Sequence, residues 1–215
     1  MNKPKIVLIG GGGHCKVVIS ILKKLNKFEI YGISDTKQNI GKTLLGVKIN
    51  SLDSNLPKLL NLGVEFAFLT IGNVDVSNKR KELFTKIKKI DFKVPVIISK
   101  DATVDETVKI GDGTVIMPGV IINVDTIIGK NCIINTGTTI DHDCIIGDHV
   151  HIAPGVNLSG QVKIGDGTML GIGSKVIQNI TVGKSSLIGA GSIVVKNIPN
   201  NVKVSGVPAK IVSKI

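Results

Sequence analysis

The chain has 215 residues, 42% of them hydrophobic and only 3% aromatic, with a formal net charge of +11. That length and apolar content can bury one sizeable core or two modest ones and exclude a disordered chain, while so few aromatics exclude a stacking platform for single-stranded nucleic acid. The charge is lopsided, with 18 Lys/Arg against 7 Asp/Glu in residues 1–100 and 9 of each in 101–215.

The apolar runs fall well short of a membrane span, and KIVLIG near the amino terminus is too brief for a signal peptide, so a cytoplasmic protein with no membrane or nucleic-acid partner is expected. Cys15, Cys132 and Cys144 have no metal-type pairing and suggest no disulfide framework. The basic first half could attract nucleotides or nucleic acid, but NKRKELFTKIKKI reads more readily as Lys-rich solvated helix surface.

From the amino terminus, KIVLIG reads as a strand, GGGGH (Gly10–His14) interrupts it, and CKVVISILKKL carries apolar residues at helical spacing. EIYGISD and VEFAFLTIG read as further strands, and VSNKRKELFTKIKKI as a helix. Strands alternating with helices over residues 1–100 predict a small Rossmann-like α/β domain with a parallel sheet. A glycine loop between strand and helix presents N–H groups and a helix dipole to an anion. Asp35 ends the second strand, about where an acid would meet a ribose hydroxyl, which invites an NAD-binding reading. The third glycine of that fingerprint would fall at Cys15, and the domain has too few strands for a full dinucleotide fold.

Residues 101–215 follow another rhythm. Every sixth residue from Val104 to Val194 is Val, Ile or Leu, sixteen positions without a break. A period of six is neither helical nor a simple amphipathic strand; it predicts short strands joined by corners, three strands to an 18-residue coil, with coils stacked roughly 4.8 Å apart. Cys132 and Cys144 fall at the small inward position two residues before the aliphatic one and are expected to be buried hydrophobes. Period alone leaves the hand of the coil open.

This repeat resembles that of the hexapeptide-repeat acyltransferases, and SGVPAK at 205–210 resembles their carboxyl-terminal signature. With GGGGH, TIGN at 70–73 and INTGTTIDHDC at 134–144, the chain is similar to the bacterial sugar acetyltransferases of surface-glycan synthesis, which include UDP-4-amino-sugar N-acetyltransferases and sialic acid O-acetyltransferases. The resemblance implies a nucleotide-sugar-binding domain over 1–100, an acetyl-CoA-binding left-handed parallel β-helix over 101–215, and a homotrimer with active sites between subunits. It further implies His142 as general base, supported by Asp143. Contacts to acetyl-CoA, the co-substrate, fall to His151, Gly160, Ile172 and Ala190. Contacts to the nucleotide sugar fall to Gly12, Gly13 and His14 at the diphosphate and sugar, Ser34 and Asp35 at the uridine end, and Gly72; Asn135 takes a supporting polar role.

The hexad grid adds geometry of its own. His142 falls at a corner, two residues after Ile140, with Gly160 at the same corner one coil on, leaving room beside the imidazole. Ile172 and Ala190 stack on a different corner column with Pro154, and corners lie over ~10 Å apart. One chain therefore struggles to supply base and cofactor groove together, whereas packing against another copy could juxtapose them. His149 reads as solvent-facing. N-acetylation of a UDP-4-amino-4-deoxy sugar is the leading expectation and O-acetylation of a sialic acid the alternative. Two other classes are an NAD-binding enzyme with a β-helical scaffold and a zinc lyase or hydratase. Spacings of seven and two between His142, His149 and His151 do not match the His-x-x-x-x-His pair of β-helical carbonic anhydrases, so no metal is expected.

Overall fold

The computed structural model describes residues 3–72 and 78–215; Asn73 of the TIGN motif and Val76 and Ser77 of the expected helix lie outside them. The chain divides into two compact units, whose described residues are 3–72 with 78–100, and 101–215.

In the first unit the order is β1 (Lys5–Ile9), α1 (Gly13–Leu25), β2 (Glu29–Ser34), β3 (Thr43–Leu44), β4 (Val47–Ser51), α2 (Leu56–Asn61), β5 (Phe66–Leu69) and α3 (Lys79–Lys89). The sheet runs β3-β4-β2-β1-β5, parallel apart from the β3–β4 pair. Ile6, Val7 and Leu8 of β1 are wholly buried, which explains its unbroken apolar run: a central parallel strand is covered on both faces. α1 turns Val18, Ile19 and Leu22 inward and ends on Asn26 in the left-handed conformation, where asparagine is tolerated. β2 lies on one side of β1 and β5 on the other, so the chain reverses direction across the sheet and opens a crevice at the carboxyl ends of the strands.

The sequence reading had no place for β3, β4 or α2. The β3–β4 turn is built on Leu45 and Gly46, both at positive φ (47° and 79°). Asn-Gly or Asp-Gly would have announced such a turn; Leu-Gly does not.

The second unit is a left-handed parallel β-helix of two-residue strands. Consecutive coils pair in register at an offset of 18 residues, as in Ile122↔Ile140 and Ile152↔Leu170. Three faces result. The first carries Thr139–Ile140, the second Ile145–Ile146 and the third His151–Ile152, each continued in the coils above and below. The aliphatic residue of each hexad points inward: Ile116 through Val194 are buried at every sixth position, while Val104 and Ile110 at the open end are half-buried. Cys132 and Cys144 are buried, as expected of the small inward position. Positive φ recurs at the corners, at Asp125, Asp143 and Gln161 along one edge. The third face continues into a hairpin, Val202–Gly206 with Ala209–Lys214, whose turn is the SGVPAK motif.

Candidate active site

His142 occupies the edge between the first and second faces. Its imidazole Nδ1 lies 2.7 Å from Asp143 Oδ2, and both side chains are about half exposed. A carboxylate can only accept, so Nδ1 carries the proton and Nε2 presents its lone pair. Asp143 takes the left-handed corner conformation (φ 57°), which folds its carboxylate back beside the preceding side chain. The hydrogen bond that Nδ1 donates to Asp143, helped by the charges of Asp141 and Asp143, raises the pKa of His142 above the ordinary imidazole value. Gly160 stands directly above, its successor Gln161 donating its N–H to the His142 carbonyl at 2.9 Å. A methyl group on Gly160 would lie 2.6 Å from Nε2 and 2.7 Å from Cε1, so the missing side chain makes the gap that Nε2 faces.

Pro154, Ile172 and Ala190 form the edge between the third and first faces. Gly173 N–H donates to Pro154 O at 3.0 Å and Gly191 N–H to Ile172 O at 2.8 Å, which stacks the three corners. Ile172 is 63% exposed. A methyl on Gly155, Gly173 or Gly191 would meet nothing within 4 Å. The edge is thus a smooth apolar rail in open space, suited to an extended, flexible apolar arm. His151 lies on the third face next to this edge, yet it is only 7% exposed and its Nε2 lies 3.4 Å from Asn135 Nδ2. Asn135 also accepts the Thr136 N–H at 2.9 Å.

The remaining edge is closed by its own side chains. Lys130 N–H donates to Asp148 Oδ1 (2.7 Å), Asp148 N–H to Asp166 Oδ1 (3.0 Å), and Lys184 Nζ pairs with Asp166 (3.1 Å). His149 belongs here. It is half-buried against Asn131 at 2.9 Å rather than solvent-facing as expected, because its left-handed corner backbone (φ 61°) sets the ring against the coil below. Among the described residues no group of three or more His, Cys, Asp or Glu could hold a metal ion, and no helix is long and apolar enough to cross a membrane.

In the first unit, Gly12 caps α1 without a side-chain hydrogen bond, and methyls on Gly12 or Gly13 would meet nothing. The amino end of α1 is therefore open to an anion. Gly72 lies against His14, 3.8 Å from a methyl position to its Cβ. An open cavity of about 560 Å³ at the carboxyl ends of the strands is lined by Gly10, Ser34, Asp35, Asp53 and Lys86 among others, and Gly12, Gly13 and His14 are not in its lining. Asp35 is held at both oxygens, by Gly11 N–H (2.7 Å) and Thr36 N–H (2.6 Å), so it clamps the glycine loop to β2. Ser34 is fully buried and donates its hydroxyl to Asp53 Oδ1 at 2.6 Å.

Asp53, Asp141 and Asn123 escaped the sequence reading. Asp53 sits in a short 3₁₀ turn after β4 that carried no signal. Asn123 lies 18 residues before Asp141, and its Nδ2 donates to Asp141 Oδ1 at 2.9 Å; the 18-residue grid could have found that pair.

Residues 5–87 match the PglD N-terminal domain family, and residues 125–160 match the bacterial transferase hexapeptide family (six repeats). No match to the chain is found among curated proteins. Among solved structures, perosamine N-acetyltransferase from Caulobacter crescentus, in complex with CoA and GDP-perosamine, is 38% identical over 96% of each chain with a TM-score of 0.91. The acetyltransferase domain of PglB from Neisseria gonorrhoeae is 32% identical over 98% of this chain and 100% of that one, with a TM-score of 0.90; it has also been solved in complex with acetyl coenzyme A. WeeI from Acinetobacter baumannii is 25% identical over the same shares, with a TM-score of 0.83.

Proposed function

Because the chain belongs to the hexapeptide-repeat sugar N-acetyltransferases with a PglD-type amino-terminal domain, we propose that it moves the acetyl group of acetyl-CoA onto the amino group of a nucleoside-diphosphate-linked 4-amino-4-deoxy sugar in surface-glycan synthesis. One relative binds GDP-perosamine, so the proposal names the nucleoside diphosphate and not uridine in particular. The observation that carries it is the Asp143–His142 pair, with Nε2 turned to the gap left by Gly160.

Acetyl-CoA supplies an acetyl group already activated as a thioester, so no residue need form a covalent intermediate. His142 takes a proton from the attacking amine through Nε2, while Asp143 fixes the tautomer and stabilises the imidazolium that results. The C–S bond breaks once the C–N bond has formed, and the sulfur leaves with a proton as the free thiol of CoA. A backbone N–H at Gly160 faces the developing oxyanion. The Pro154–Ile172–Ala190 rail guides the pantetheine arm, and His151 with Asn135 lines its approach. In the first unit the open amino end of α1, at Gly12, Gly13 and His14, receives the diphosphate, and Ser34 and Asp35 organise the cavity for the nucleoside.

The base and the rail occupy different edges of one coil. The proposal therefore includes a homotrimer in which one copy contributes His142 and a neighbour contributes the rail, working in the cytoplasm. A free-thiol release assay with acetyl-CoA tests the reaction, using nucleoside-diphosphate amino sugars against sialic acids. Thiol release with the amino sugars supports it; turnover with sialic acid alone would transfer the activity to O-acetylation.

A further inference from the structure

Asp141 stands immediately before the base, where its charge helps to raise the His142 pKa. Its Oδ1 accepts two hydrogen bonds, from Asn123 Nδ2 at 2.9 Å and from the His142 N–H at 2.9 Å. Asn123 belongs to the coil below, in the register that pairs Ile122 with Ile140, so two layers of the β-helix fix one carboxylate. These bonds, that of Asn123 first, hold its pKa below the usual carboxylate value. Oδ2 takes no hydrogen bond among the described residues. Asp141 also lines an open groove of about 650 Å³ along the first face, with Asn157, Ser159 and Lys175. A fixed negative charge thus borders a groove one residue from the proton acceptor.

We propose that Asp141 selects the acceptor: its carboxylate binds the ammonium form of the incoming amino sugar and so favours an amine over a hydroxyl. This rests on the N-acetyltransferase reading. A primary alkyl amine is largely protonated at neutral pH and must lose a proton before it can attack. Oδ2 accepts one N–H of the ammonium and holds its nitrogen beside His142. A second N–H bond then breaks, its proton passing to Nε2 and its electron pair forming the C–N bond; the C–S bond breaks, and the third N–H proton leaves on the CoA sulfur as free thiol. A hydroxyl brings no charge, and a neutral donor gains roughly half as much from a carboxylate as an ionised one does.

The other charges near the ring favour a cation as well. Asp143 bonds Nδ1 on the far side, and Asp125 lies one coil below Asp143 on the same edge. Lys175, the opposing charge in the groove, lies two coils above Thr139. That is roughly 10 Å along the axis between the backbones.

Asp141→Asn tests the proposal, because the amide oxygen still accepts from Asn123 and from His142 N–H while the charge is lost. The acceptors are a nucleoside-diphosphate amino sugar and its counterpart with hydroxyl in place of amine. The wild type is expected to use the amine alone. The variant should raise the KM for the amine roughly tenfold or more and leave the KM for acetyl-CoA unchanged, with Asp141→Glu recovering part of the loss. The acid limb of kcat/KM should also move to lower pH, since one charge that raises the His142 pKa has gone; a purely structural role would move neither the limb nor the acceptor KM alone. An unchanged amine KM in Asp141→Asn, or a wild type that uses the hydroxyl as readily, overturns the role of Asp141 and leaves the N-acetyltransferase reading standing. A wild type inactive on every amine overturns both.

Discussion

Gly160 holds no side chain where one would strike His142: a methyl there would sit 2.6 Å from Nε2. Gly160 is not at positive φ, so alanine is compatible with its backbone, and the ring it would displace is half exposed and able to swing away. Gly160→Ala should therefore leave the thermal midpoint unchanged while pushing the ring off Asp143 and lowering kcat by roughly 10²-fold. A scanning-fluorimetry melt beside a thiol-release assay checks both halves.

His142→Ala should reduce turnover by roughly 10²–10⁴-fold, the usual span for a general base, with CoA binding intact by calorimetry. In the wild type, kcat/KM should fall as pH drops through a His142 pKa raised by Asp143, because protonation at Nε2 removes the acceptor. Asp143→Asn removes the largest cause of that rise. Its acid limb should shift to lower pH and its plateau should drop less than that of His142→Ala. A limb that stays in place would detach Asp143 from the ring.

Burial pushes the Cys15 and Cys144 thiols up to about 11, so neither forms appreciable thiolate near neutrality. Mild alkylation at pH 7.5, followed by intact-mass measurement, should label none of the three buried cysteines in the native protein and all three after denaturation. Activity should survive the native treatment.

A methyl on Gly11 would lie 2.5 Å from Asp35 Oδ2 and 3.0 Å from Ile49 Cδ1, against the carboxylate that clamps the glycine loop. Gly11→Ala should weaken binding of a nucleoside-diphosphate sugar by roughly tenfold or more, since it breaks a charge-assisted bond. Acetyl-CoA binding should be untouched, and paired titrations of the two ligands separate the effects.

If neighbouring copies complete each centre, two damaged chains can restore one another. His142→Ala and Ile172→Asp should each be nearly inactive alone. Refolded together they should recover a fraction of wild-type activity set by random assembly. Light scattering should report a trimer, and a fully active monomer would end the shared-site proposal.

The hexad rhythm made the second unit legible, since sixteen aliphatics six residues apart, with turn residues between them, match short strands joined by corners. The same rhythm placed His142 beneath Gly160 and aligned Pro154, Ile172 and Ala190. The first unit was less open. The β3–β4 hairpin hides behind Leu45-Gly46, and no spacing links the Ser34 hydroxyl to Asp53, which accepts its hydrogen bond.

Sequence by itself determined the coil, its faces and which residues stack, because an 18-residue repeat converts spacing directly into position along an axis. Only the tertiary structure decided which partner each polar atom takes. It gave Asp35 to the glycine loop, Asp143 to the imidazole, and Asp141 to Asn123 and the His142 N–H. Those choices depend on rotamers and on donors brought from neighbouring layers. A hydrogen bond is won or lost over a few tenths of an ångström, finer than any periodicity can resolve.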